Sequence, residues 1–147
     1  VDRYFSHRTA YDKVKKEAIM AKNTPNILII EDDSALNQAY QTILTRAGYN
    51  VQTAFDGEEA LKLVADNEPD MIFLDLRMPT LDGIGFLRAY QPGANHKNVK
   101  IIIFSNYDMQ QEIDEAYDLG ADRYVLKAWA SPKELIKIVE DTMAATK

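Results

Sequence analysis

Four polar settings in this chain have residue types suited to phosphate chemistry. Glu31, Asp32 and Asp33 follow the apolar run ending at Ile30, and Asp75 closes Met71-Ile72-Phe73-Leu74. Ser105 closes Ile101-Ile102-Ile103-Phe104, and Lys127 closes Arg123-Tyr124-Val125-Leu126. Carboxylates that face one another without a cation repel, and at least one pKa must rise. Oxygen donors of this kind suit a hard divalent ion, and Mg²⁺ is usually held by one or two carboxylates with waters and substrate phosphate. An ammonium and a hydroxyl would complement such an ion by binding phosphoryl oxygens. Taken singly, each group has a plainer reading: turn acids that favour a helix N-terminus, a surface lysine after an edge strand, and a serine cap. No Walker-type glycine loop is present, so phosphate is expected to be held here through a metal.

The elements that must position these groups can be read from periodicity. Short apolar runs predict strands over Ile27 to Ile30, Asn50 to Ala54, Met71 to Leu74, Ile101 to Phe104 and Arg123 to Leu126. Amphipathic segments between them predict helices over Ala35 to Ala47, Gly57 to Asp66, Gly83 to Tyr90, Met109 to Leu119 and Pro132 to Ala144. Asp56 with Glu59 and Ser131 with Glu134 have capping-box spacing, Pro132 stands at a first helical position, and Asp108 precedes the fourth helix. Five strands each followed by a helix predict an α/β, doubly wound parallel sheet with helices on both faces, because parallel neighbours need long crossovers. In such sheets, ligands gather at the carboxyl ends of the strands, where all four polar settings lie.

Composition narrows the function. A chain of 147 residues accommodates one domain with a core, and 46% hydrophobic with 27% charged residues is ordinary for a globular protein. The net charge of -6 argues against direct nucleic-acid binding, which needs a basic surface to displace counterions. There is no cysteine, hence no disulfide or thiolate metal site, and no apolar run is long enough to span a membrane. A cytoplasmic protein is expected. Residues 1–25 read as an N-terminal extension with a short helix from Thr9 to Met20, ahead of a domain over residues 26–147. A homodimer through that extension is one open arrangement.

From Asn26 to about Ala145 the sequence resembles the receiver domain of a two-component response regulator. The matching pieces are Ile27-Leu28-Ile29-Ile30-Glu31-Asp32-Asp33, Asp70 to Gly83 with its Asp-Leu-x-Met-Pro-x-x-Asp-Gly order from Asp75, Ile101 to Ser105, and Gly120 to Lys127. The resemblance implies a flavodoxin-like sheet of strand order 2-1-3-4-5. It also implies that Asp75 accepts a phosphoryl group from a histidine kinase or phosphotransfer protein. Glu31, Asp32, Asp75 and the backbone carbonyl of Arg77 would hold Mg²⁺, while Ser105 and Lys127 would bind phosphoryl oxygens. Ser105 and Tyr124 would form the switch that changes the surface offered to a downstream protein partner. Asp33 is expected to start a helix and not to bind metal.

Several positions depart from the family pattern or bear on its chemistry. Ala128 replaces the proline usual after the lysine, which leaves a trans or a cis bond open there, and Asn106 replaces a small residue after the serine. Arg77 and Tyr107 flank the expected path of hydrolytic water and would shield an aspartyl phosphate. Trp129 reads as a packing residue or a partner contact, and His7 and His96 as solvated. Only a few residues up to Lys147 follow the last predicted helix, so output is expected through protein contacts, from a signalling protein and not an enzyme. Two other readings stay open: a degenerate receiver that docks partners without phosphorylation, and a Mg²⁺-dependent phosphohydrolase with an aspartyl nucleophile. The hydrolase would need an acid where Arg77 stands.

Overall fold

In the computed structural model the described residues are 10, 11, 14 and 24–145. The helix expected from Thr9 to Met20 lies outside them except at residues 10, 11 and 14, which are helical, and the side chain of Trp129 and all of His7 also lie outside.

Five strands form the sheet: β1 (Asn26–Ile30), β2 (Asn50–Ala54), β3 (Met71–Asp75), β4 (Lys100–Ser105) and β5 (Arg123–Leu126). All neighbours are parallel, in the order β2-β1-β3-β4-β5. The helices are α1 (Ser34–Arg46), α2 (Gly57–Asp66), α3 (Gly83–Tyr90), the short α4 (Pro92–Asn95), α5 (Gln110–Asp118) and α6 (Pro132–Ala144). The expected doubly wound architecture is therefore present. Strands buried on both faces read as unbroken apolar runs, and alternate residues then serve opposite faces. Leu28, Ile30, Ile72, Leu74, Ile101 and Ile103 pack with Ala60 of α2, Phe86 of α3 and Ala116 of α5. Ile27, Ile29, Met71, Phe73, Ile102 and Phe104 pack on the other side with Leu44 of α1 and Leu135 and Val139 of α6.

Several boundaries differ from those read in the sequence. β3 and β4 each run one residue further, so Asp75 and Ser105 are the last residues of their strands. The chain after Tyr90 makes the additional turn α4, begun by Gln91 in the left-handed region and Pro92 at the first helical position. A 3-10 turn spans Lys127–Trp129. α5 starts after Met109 with no side-chain cap, so Asp108 does not cap it. α1, α2, α3 and α6 are capped by Asp33, Asp56, Asp82 and Ser131, each accepting from the backbone N–H three residues on.

The loop leaving β3 is fixed by close backbone approach. The Gly83 N–H donates to the Leu76 carbonyl at 3.0 Å, and a Cβ at Gly83 would lie 2.4 Å from the Asp75 carbonyl oxygen and 2.7 Å from the Leu76 Cα. Both obstacles are backbone and cannot rotate away. Gly83→Ala is expected to destabilise the protein by about 2–3 kcal/mol, in the range of overpacked interiors, read from urea unfolding.

Candidate functional site

The carboxyl ends of adjacent β1 and β3 bring three acids together. Glu31, Asp32 and Asp75 offer carboxylate oxygens that all lie within 4.8 Å of one another. Glu31 is 2% and Asp75 7% exposed, whereas Asp32 opens to solvent. Lys127 arrives from the end of β5, 96 residues beyond Glu31. Its Nζ donates to Glu31 Oε1 at 2.5 Å and stands 3.2 Å from Asp75 Oδ2. Among the described residues there is no cis peptide, so the Lys127–Ala128 bond is trans, and the lysine spans the site without a following proline.

Three carboxylates and one ammonium leave a formal charge of -2 here. Burial pushes the Glu31 carboxyl up to about 8, with Asp75 adding to the rise and Lys127 opposing it. Burial alone would lower the Lys127 ammonium, but the hydrogen bond to Glu31 and the charge of Asp75 outweigh it and hold the group above its usual value. Glu31 Oε2 is buried and has no hydrogen-bond partner. An unpaired buried carboxylate oxygen beside two further acids fits a hard divalent cation, which would satisfy the oxygen and cancel the remaining charge.

The other half of the site converges on one peptide. Ser105 is fully buried, and its Oγ accepts from the Tyr107 N–H at 3.1 Å. The half-buried Tyr124 packs on the inner cluster, and its hydroxyl donates to the Tyr107 carbonyl at 2.8 Å. Burial raises the Tyr124 phenol above its usual value, with the neighbouring Ser105 hydroxyl opposing. The Arg77 guanidinium lies 4.4 Å from the centroid of the Tyr107 ring and donates to Glu112 Oε1 of α5 at 2.7 Å. Its own backbone N–H donates to Asp75 Oδ1 at 3.3 Å. Asn106 points to solvent, as does much of Tyr107. His96, read as solvated, is partly exposed, stacked on Tyr90 and bound to Glu68 at 2.8 Å.

Two partners in this arrangement escaped the sequence reading. Glu112 lies 35 residues from Arg77, and nothing in either local pattern marks the pair. Asn37 is buried on α1 against the ends of β1 and β2. A signal for it existed, because Asn37 shares a helical face with Leu44 seven residues on, and a polar residue in an apolar stripe needs a partner.

The model of the response regulator receiver domain family matches residues 27–140. The chain belongs to that family. It is 37% identical over 114 residues to a probable transcriptional regulator, ycf27, of Cyanidium caldarium, covering 78% of this chain and 44% of that protein. The receiver domain thus spans under half the length of that relative. Among solved structures, the receiver domain of the Francisella response regulator 1452 aligns with a TM-score of 0.74 and 35% identity, covering 84% of this chain and all of that one. The chemotaxis protein CheY4 of Vibrio cholerae aligns with a TM-score of 0.75 and 27% identity over 81% of this chain and 98% of its own. The family's role is two-component signalling, and this receiver domain shares it.

The Glu31 carboxyl, raised by burial from its ordinary 4.5 to about 8, binds its proton more tightly in the folded than in the unfolded chain. Its contribution to stability is present below about pH 4.5 and is lost as pH rises towards about 8. The metal-free protein is therefore expected to lose stability across that window. Glu31→Gln, which keeps the neutral shape, should raise its melting midpoint at the upper end, about 4 °C for each kcal/mol recovered in a domain of this size. Calorimetric scans across pH on both proteins measure this.

Proposed function

We propose that Asp75 is the phosphoacceptor of this receiver domain and that the surrounding groups are its phosphoryl-transfer machinery. The reading rests on one observation above all: Lys127 bridges Glu31 and Asp75 inside a three-carboxylate cluster. A carboxylate oxygen of Asp75 attacks phosphorus on a phosphohistidine of a histidine kinase or phosphotransfer protein. An O–P bond forms as the P–N bond breaks, and the electron pair returns to the donor nitrogen. Glu31, Asp32, Asp75 and the backbone carbonyl of Arg77 would hold Mg²⁺, which would supply positive charge to the phosphoryl oxygens. Lys127 turns from Asp75 Oδ2 to a phosphoryl oxygen and keeps Glu31 as its second partner. The Ser105 hydroxyl accepts from Tyr107 and so keeps its own hydrogen to donate to another phosphoryl oxygen.

Drawing Ser105 towards phosphorus alters its bond to the Tyr107 N–H, and the same peptide carries the Tyr124 hydroxyl on its carbonyl. This linkage supports Ser105 and Tyr124 as the switch. Output passes to a downstream protein partner in the cytoplasm, with residues 26–147 as the receiver and residues 1–25 as an extension.

The phosphohydrolase reading fails on chemistry, because Arg77 occupies the acid position, and a guanidinium in an ion pair with Glu112 gives up no proton. The docking-module reading drew on Ala128 and Asn106; Lys127 reaching Glu31 with Ala128 behind it, and the exposure of Asn106, support the phosphoacceptor reading instead.

With acetyl phosphate and Mg²⁺ the wild type is expected to gain one phosphoryl group by mass spectrometry, and Asp75→Asn to gain none. An unmodified wild type would leave the docking module as the better reading. The Arg77 guanidinium lies over the Tyr107 ring, and the Arg77 backbone N–H bonds Asp75. Replacing both with alanine should shorten the lifetime of the aspartyl phosphate several-fold, and unchanged decay of the purified phosphoprotein would refute their shielding role.

A further inference from the structure

We propose that Asn37 is a positioning residue of the metal site, an inference that rests on the phosphoacceptor reading above. Asn37 stands in the first turns of α1 and is 2% exposed. Its Nδ2 donates to the Glu31 carbonyl at 3.0 Å and to the Ala54 carbonyl at 3.2 Å. A carboxamide nitrogen carries two hydrogens, and these two acceptors use both.

The acceptors mark the point where β1 and β2 stop pairing. The Glu31 N–H donates to the same Ala54 carbonyl at 3.0 Å. Glu31 is therefore held at its N–H by β2, at its carbonyl by Asn37 and at its carboxylate by Lys127. The Glu31 carbonyl shares a rigid plane with the Asp32 N–H, so the bond that orients it also sets how Asp32 leaves the strand. One amide thus governs the backbone of two adjacent carboxylates while binding no metal.

Packing alone does not call for asparagine here. Leu44 serves the same face of α1 two turns later and is fully buried against the sheet. A buried amide is costly unless bonded, and Asn37 meets that cost by bonding the Glu31 and Ala54 carbonyls. The bonds it makes are to the two carbonyls at the rim of the acidic cluster, which is where geometry matters for a divalent ion that tolerates little distortion. Groups that orient metal ligands from behind typically change affinity 10- to 100-fold when removed, about the scale expected for Asn37.

The test is Mg²⁺ binding by titration calorimetry on the full chain, well below unfolding, without any phosphodonor. Asn37→Ala is expected to weaken Mg²⁺ about tenfold or more, and Asn37→Ser, which keeps one donor, by an intermediate factor. Leu44→Ala serves as the control for general destabilisation of α1 and is expected to lower the melting midpoint while leaving Mg²⁺ affinity unchanged. If Asn37→Ala fails to fold, Asn37→Ser carries the comparison. Wild-type binding with equal affinity in the folded Asn37 variants overturns the positioning role alone, as does an equal loss in Leu44→Ala. A wild type that binds no Mg²⁺ brings down the metal site itself and this role with it.

Discussion

Two buried carboxylates, Glu31 and Asp75, share one ammonium, and much of the architecture serves to hold these three groups together. Burying a charge is expensive unless it is paired, and a single lysine does not neutralise the three acids gathered at the strand ends. Burial is the main cause of the raised Glu31 carboxyl, and neighbouring Asp75 adds to it against the opposing pull of Lys127. A site left electrostatically incomplete in this way is a receptor for positive charge, and the unpartnered Glu31 Oε2 marks where that charge would act.

Rigid backbone makes the arrangement possible. β1 and β3 are adjacent and buried on both faces, so neither strand end can shift to relieve repulsion between its acids. Gly83 lets α3 begin against the Asp75 and Leu76 backbone, and Asn37 ties down the opposite rim. The site is thus preorganised by sheet, helix start and amide together. The low-dielectric floor beneath it strengthens every interaction within.

The signalling side is built from weaker and more exposed contacts. Tyr107 joins Ser105, Tyr124 and Arg77, and through Arg77 the loop after Asp75 reaches Glu112 on α5. Exposed ion pairs and ring contacts contribute little to stability, on the order of 1 kcal/mol or less apiece. Elements joined this way can rearrange at small cost.

The sequence by itself determined the fold class and marked Glu31, Asp32, Asp75, Ser105 and Lys127 as polar groups at strand ends, because apolar runs ending in polar residues are local patterns. Caps at Asp56 and Ser131 were legible for the same reason: their partners lie three residues away. Tertiary structure alone decided whether Lys127 reaches the acids without a proline after it, since that depends on the bend of the chain across two intervening strand ends. It also decided that His96 is stacked on Tyr90 and that Arg77 is tied to Glu112, because each contact joins residues with no periodic relation. Asn37 lies between these cases: its helical face could be read from spacing, but the two carbonyls it binds meet only when β1 and β2 pair.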